Sequence, residues 1–368
     1  MRLSVMALAL LLAQPTCADE ALQACLVRAA ARLNFNGIAY LGRGAEIIEQ
    51  PFGTSDESGR TPVEKTTRFN IGSAGKMFTA VAIAQLVDRG LVSWDAPIRT
   101  YLKDVKPDIG KITVRQLLAH TSGLGDYLKP ENHAAIEKAR TATALLPLAL
   151  TDAPAFTPGS RFAYSNSGYV VLGAIIENVS HQTYAAVLER NIFARAGMND
   201  TALDDSRAAA PMTRMSPARM LQHPAPSPLR LPFASPAGGE ASTAADVARF
   251  LKALQENRLV SATSKAELFT PQAAWGGGPS YGLGFVVNPG PPLKVGHGGG
   301  APGVNAEIAL FPASGWEVVM LSNYDPPTAS HLASVLERAL FAENKAAACK
   351  NATNDPALGS ALPTHPRL

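Results

Sequence analysis

Charge is scarce in this 368-residue chain and cysteine is scarcer: 17% of residues are charged, the formal net charge is +3, and there are three cysteines. The basic residues are scattered rather than gathered into a stripe, which argues against a nucleic-acid partner. The seven histidines contain no HxH or HxxxH pair and no cysteine cluster accompanies them, so metal-site spacing is missing as well. No internal repeat is present, and no apolar run is long enough to span a bilayer. What remains is a chain that is 46% hydrophobic, of a length that suits one large or two modest globular domains.

The bias that does exist lies at the ends. Arg2 precedes an apolar run of roughly eleven residues from Leu3 to Ala13, which has the length of a secretory signal core. Gln14-Pro15-Thr16-Cys17-Ala18 follows, then acidic Asp19 and Glu20. This order predicts an export signal over residues 1–18, cleaved after Ala18, and a periplasmic or secreted protein. A lipid anchor on Cys17 is the alternative, for which Gln14, Pro15 and Thr16 are poorly suited. Loss of Cys17 leaves Cys25 and Cys349 as an even pair in an oxidising compartment. A disulfide between them would tether the terminal helices; two unpaired thiols are the other possibility.

Strand-like patterns occupy both ends of the chain. GIAYLGRGAEIIEQPFG (37–53) has the alternation and glycine turn of a hairpin, and YGLGFVV, LKVGHGG, NAEIALF and WEVVMLSN return late. Between them the chain reads as helices broken by Pro and Gly, with a proline-rich loop over 211–236. Thr243 and Asp246 are spaced as a capping box. The expected fold is therefore α+β, a three-layer α/β/α arrangement. Its antiparallel sheet is built from residues 19–93 and 240–349, with a mainly helical insertion at 94–239 and a mobile tail at 350–368.

Three short motifs carry chemistry. Ser73 stands three places before Lys76 at the start of an apolar helix, so both share a helix face, and burial would make the amine a better proton acceptor. The same serine also suits a plain helix cap. Tyr164-Ser165-Asn166 lies on a turn before another apolar helix, where the phenol could relay a proton and the amide could bind a carbonyl. His297-Gly298-Gly299-Gly300 ends a predicted strand, where a backbone N–H near Gly299 or Gly300 could join that of Ser73 as an oxyanion hole. A competing G-x-S-x-G at Gly278 to Gly282 lacks the strand before and helix after that a nucleophile elbow needs.

In this order, and together with LLAHTSGL, PGSRFAYSNSGYVVLG, AGGEASTAADVARFL and YGLGF, these motifs resemble the penicillin-recognising serine hydrolases over about residues 34–343. The most similar branch holds class C β-lactamases, D-alanyl-D-alanine carboxypeptidases, D-aminopeptidases and β-lactamase-like esterases. The resemblance implies a β-lactamase/transpeptidase-like fold, Ser73 as acylated nucleophile, Lys76 as its base and Tyr164 and Asn166 as the Tyr-x-Asn pair. It places His297 and Gly299 at the first and third positions of the strand triad. Where that triad would hold a lysine and a hydroxyl residue, this chain has His297 and Gly298, which weakens carboxylate recognition. An exported serine hydrolase acting on a small ester, amide or peptide substrate is expected. It is read as a monomer without cofactor, metal, nucleic-acid partner or membrane span. A β-lactamase, or a penicillin- or peptidoglycan-peptide-binding protein that acylates without turnover, is the alternative.

Overall fold

The computed structural model describes residues 17–56, 58–203, 208–210 and 234–355. The expected export segment up to residue 16, most of the proline-rich stretch (211–233) and the chain from 356 onward lie outside the described residues.

Helix α1 (Cys17–Leu33) leads into the hairpin of β1 (Gly37–Arg43) and β2 (Glu46–Phe52). Its turn passes through Gly44 at φ +62°, a left-handed conformation that glycine adopts without strain. Strand β3 (Phe69–Asn70) precedes α2 (Lys76–Asp88). The helices α3 (Val114–Leu118), α4 (His133–Lys138), α5 (Ala142–Ala149), α6 (Asn166–Ser180) and α7 (Tyr184–Leu188) fill the middle of the chain. After β4 (Ala241–Ser242) come α8 (Ala244–Gln255) and α9 (Ala262–Phe269). The strands β5 (Ala273–Ala274), β6 (Ser280–Tyr281), β7 (Val286–Asn288), β8 (Lys294–Ala301), β9 (Val304–Phe311) and β10 (Trp316–Ser322) follow. Helices α10 (Thr328–Leu340) and α11 (Lys345–Thr353) complete the described chain.

Strands from both ends build one eight-stranded antiparallel sheet in the order β2-β1-β10-β9-β8-β7-β6-β5, while β3 and β4 pair separately. Alternation along the strands divides the core. Ala39 and Leu41 of β1, with Val318 and Met320 of β10, pack under α1, α10 and α11. Ile38 and Tyr40, with Val319 and Leu321, face the opposite layer, which α2, α6 and α8 fill. The three-layer expectation holds. Helix α2 is buried on every side from Lys76 to Leu86, which explains why its sequence is apolar all round rather than striped.

Local departures have local causes. The strand expected over YGLGFVV breaks into β6 and β7, because Gly282 and Phe285 close a turn between them (N–H to O, 2.8 Å). Ser280 consequently lies in a strand that turns into another strand, which removes the nucleophile-elbow reading. The Thr243 hydroxyl caps α8 by accepting from the Asp246 N–H, but the Asp246 carboxylate turns to Asp200 N–H, Thr201 and Arg249 instead of closing the box. The segment expected to be tail from residue 350 begins inside α11, which the sequence reading missed.

Cys25 of α1 and Cys349 of α11 are bridged, with Cα atoms 5.7 Å apart, so the terminal helices are tied across one face of the sheet. The cross-link closes a loop of sequence separation 324. Replacing both cysteines by serine should lower unfolding stability by about 2–4 kcal/mol, measured in urea with and without reductant. Oxidised protein with two freely alkylatable thiols would contradict the bridge.

Candidate active site

Ser73 does not cap a helix. It sits in a 3-10 turn, Gly72–Gly75, directly ahead of α2, and no side-chain hydrogen bond caps either element. The backbone around it is held from both sides. Ile71 N–H donates to the Glu240 carbonyl (2.9 Å), Gly239 N–H to the Gly72 carbonyl (3.1 Å) and Gly72 N–H to Asn70 Oδ1 (2.8 Å). Such close approach needs glycine: a Cβ at Gly299 would stand 1.9 Å from the Ile71 carbonyl oxygen, and one at Gly238 would stand 2.1 Å from that of Gly72. Strand β8 therefore lies against the Ser73 turn, with Gly300 N 3.2 Å from where a Gly72 Cβ would be. Strand β7 pairs with β8 as far as Gly296, so Gly298 to Gly300 have no ladder partner on that edge among the described residues.

Lys76 is wholly buried, and its Nζ lies 2.6 Å from the Ala237 carbonyl oxygen, 2.8 Å from Asn166 Oδ1 and 3.2 Å from Ser73 Oγ. The first two partners only accept. A neutral amine has two N–H groups, which these acceptors consume, and a lone pair that remains for the Ser73 hydroxyl proton. Burial drives the amine in that direction: desolvation lowers its pKa to about 7, against the upward pull of Asp126 and Glu240. The Tyr164 and Tyr169 rings lie 4.8 Å and 5.3 Å from Nζ and give the protonated form a cation–π environment.

Ser165 caps α6 by accepting from Gly168 N–H (3.0 Å), which delivers Tyr164 and Asn166 to either side of the helix start. The Tyr164 hydroxyl interacts with Ser73, while desolvation raises its pKa above the usual phenol value. Asn166 bridges: Oδ1 accepts from Lys76 and Nδ2 donates to Asp126 Oδ2 (2.8 Å), so the free capacity of the amide is one N–H. The Lys76 contact was not foreseen for this residue.

His297 is buried at 3% exposure, and both ring nitrogens are engaged. Nδ1 faces the Gly298 carbonyl oxygen at 2.6 Å, which can only accept, so Nδ1 carries the proton. Its Nε2 lies 2.8 Å from the Tyr281 hydroxyl. His120, stacked on Tyr164 at 4.2 Å, completes this aromatic wall with Tyr169, Tyr281 and Phe162. Its Nδ1 accepts from Ser165 N–H, and burial, ahead of the Lys76 and His297 charges, holds its pKa well below the ordinary value.

The structure thus gathers Ser73, Lys76, Tyr164, Asn166, His297 and Gly298 to Gly300 at one place. Asp126, His120 and Glu240 belong there too and were missed. His120 and Glu240 lie inside stretches already singled out, and Asp126 follows one by two residues, but no spacing rule marks any of them.

Residues 25–343 match the Beta-lactamase family model, and the chain belongs to that family. It is similar to a penicillin-binding protein of Bacillus subtilis, 29% identical over 324 residues that cover 80% of this chain and 69% of the relative. An esterase of Burkholderia gladioli is 28% identical over 290 residues, covering 68% of this chain and 74% of the esterase. The crystal structure of a D-amino acid amidase from Ochrobactrum anthropi superposes with a TM-score of 0.72 at 25% identity, covering 91% of this chain and 99% of the amidase. The fold is β-lactamase/transpeptidase-like, and the relatives are hydrolases and penicillin-binding proteins.

Gly299→Ala tests the close approach. The added methyl should force β8 off the Ser73 turn and cost about 1–3 kcal/mol in denaturant unfolding, the range for overpacking. Unchanged stability and activity would show that the strand is not pinned there.

Proposed function

We propose that the protein is an exported serine hydrolase that cleaves ester or amide bonds through an acyl-enzyme on Ser73. The observation that carries this reading is the buried Lys76 amine 3.2 Å from Ser73 Oγ, with two acceptor-only partners that can take both N–H groups of its neutral form.

Lys76 withdraws the Ser73 proton as Oγ attacks the carbonyl. Backbone N–H groups of Ser73 and of the Gly299–Gly300 strand edge receive the oxyanion, and Tyr164 passes the proton to the leaving group. Water then resolves the ester on Ser73. The remaining Asn166 N–H orients the substrate carbonyl. With Nε2 on the Tyr281 hydroxyl and Nδ1 on the Gly298 carbonyl, the buried His297 ring has both nitrogens engaged within the protein, and Gly298 offers no hydroxyl to a free carboxylate. This favours esters and amides without a terminal carboxylate, in keeping with the esterase and D-amino acid amidase relatives, over β-lactams and carboxypeptidase substrates. Export is supported by the residue pattern over 1–18 and by the Cys25–Cys349 bridge. A monomer remains the working reading of its assembly.

Three substrates given to one preparation test this: a short-chain p-nitrophenyl ester, a chromogenic cephalosporin and a D-alanyl-D-alanine peptide. The ester should turn over fastest and continue past one equivalent. Ser73→Ala should abolish turnover, and Lys76→Ala should cost about a hundred- to ten-thousandfold in kcat/KM. Full activity in a folded Ser73→Ala protein, or a burst that stops at one equivalent, would contradict the proposal.

A further inference from the structure

Glu240 is a fully buried carboxyl to which the steps above give no task. Neither of its oxygens makes a hydrogen bond of good geometry among the described residues, a costly arrangement for a charged group. Its position is specific. Its own carbonyl anchors Ile71, and its carboxyl lies where Gly75 would carry a side chain: a Cβ there would stand 1.7 Å from Oε2 and 2.9 Å from Oε1. The glycine in Ser73-Ala74-Gly75-Lys76 thus makes room for a carboxyl wedged between the serine turn and the first turn of α2.

The polar neighbour of that carboxyl is the Tyr184 hydroxyl of α7. Tyr184 in turn lies 2.7 Å from Thr79 Oγ1, which lies 2.7 Å from the Pro236 carbonyl oxygen. This row of hydroxyls has two proton arrangements. In one, Thr79 donates to Pro236, Tyr184 donates to Thr79, and the Tyr184 oxygen presents a lone pair that suits a protonated Glu240. In the other, Thr79 donates to Tyr184 and Tyr184 donates to an ionised Glu240, leaving Pro236 without a donor. The surroundings accommodate both forms of the carboxyl by turning two hydroxyls.

We infer that Glu240 is a positioning residue for Lys76: an ionisable carboxyl, switched through the Tyr184–Thr79 hydroxyl pair, that strengthens the lysine as a base once it has shed its own proton. An ionised carboxylate against the first turn of α2 favours the ammonium that Lys76 becomes on taking the Ser73 proton, whereas a protonated one gives it no such help. Burial raises the Glu240 pKa to about 8 against the pull of Lys76 and lowers that of the lysine to about 7, so the two groups titrate as a pair in the neutral range. Tyr184 and Lys76 face Glu240. From the other elements, Asp126, His120 and the Tyr164 and Tyr169 rings face Lys76, and they are the same whichever form Glu240 takes.

The inference rests on the acyl-enzyme reading, and its test separates the two. The pH dependence of kcat/KM for a p-nitrophenyl ester, and of Ser73 labelling by a fluorophosphonate, is measured for the wild type, Glu240→Gln and Tyr184→Phe. In the wild type the rise should contain two ionisations, which belong to the Lys76–Glu240 pair. In Glu240→Gln it should contain one, leaving the variant about threefold to tenfold slower than the wild type on the alkaline side and closer to it below pH 7. Tyr184→Phe keeps the carboxyl but removes its donor, so the second ionisation should move to higher pH. This variant decides the matter if Glu240→Gln does not fold. Profiles that superpose after scaling would overturn the role of Glu240 while leaving Ser73 as nucleophile. Absence of Ser73 labelling in the wild type would overturn both.

Discussion

Burial of one amine organises the site. Lys76 lies at the foot of a helix with no polar face, and the loss of water by a charged ammonium there outweighs the pull of Asp126 and Glu240. Its contacts are a backbone carbonyl, an amide oxygen and the Ser73 hydroxyl. Each contact comes from a different part of the chain, so the amine can stand unprotonated only when the helical middle, the 234–240 segment and the serine turn are all in place. Fold and chemistry are therefore one constraint: the core that buries α2 also sets the proton affinity of its lysine.

A second constraint is distance between backbones. Gly72, Gly238 and Gly299 let three segments meet at Ser73 with no side chain between them. That packing brings the unpaired edge of β8 to the nucleophile and makes the edge available to a carbonyl oxygen and its flanking groups. The aromatic wall on the other side joins His297 to Tyr281 and Tyr281 to His120.

Much of this was legible in the residues. The sheet assembled from both ends followed from where alternating segments fell, and the even pair Cys25 and Cys349 followed from the reading of Cys17 as part of an export signal. Ser73, Lys76, Tyr164 and Asn166 were singled out by the order of their motifs and the family resemblance, since each motif alone also suited a plain cap or turn. Asp126 and Glu240 did not, because their importance comes from tertiary approach to Lys76 and leaves no period or cap in the sequence. The cap alternative for Ser73 stayed open for a related reason. A Ser before an apolar helix looks like a cap, whereas here the serine sits in a 3-10 turn held by bonds from Ile71, Gly72 and Gly239 and makes no capping bond. Helix α11 was hidden by its polar composition; it is held by the disulfide and by Ala352 against α1 and α10 rather than by a strong apolar stripe.

The central claim is that the Lys76 amine is a neutral base at the pH where the protein works. NMR titration of isotopically labelled lysine side chains, with Lys76 assigned by its absence from Lys76→Ala, measures this directly. The account predicts a midpoint near neutrality, about 7. A Lys76 midpoint at the ordinary lysine value of 10.5 would contradict it.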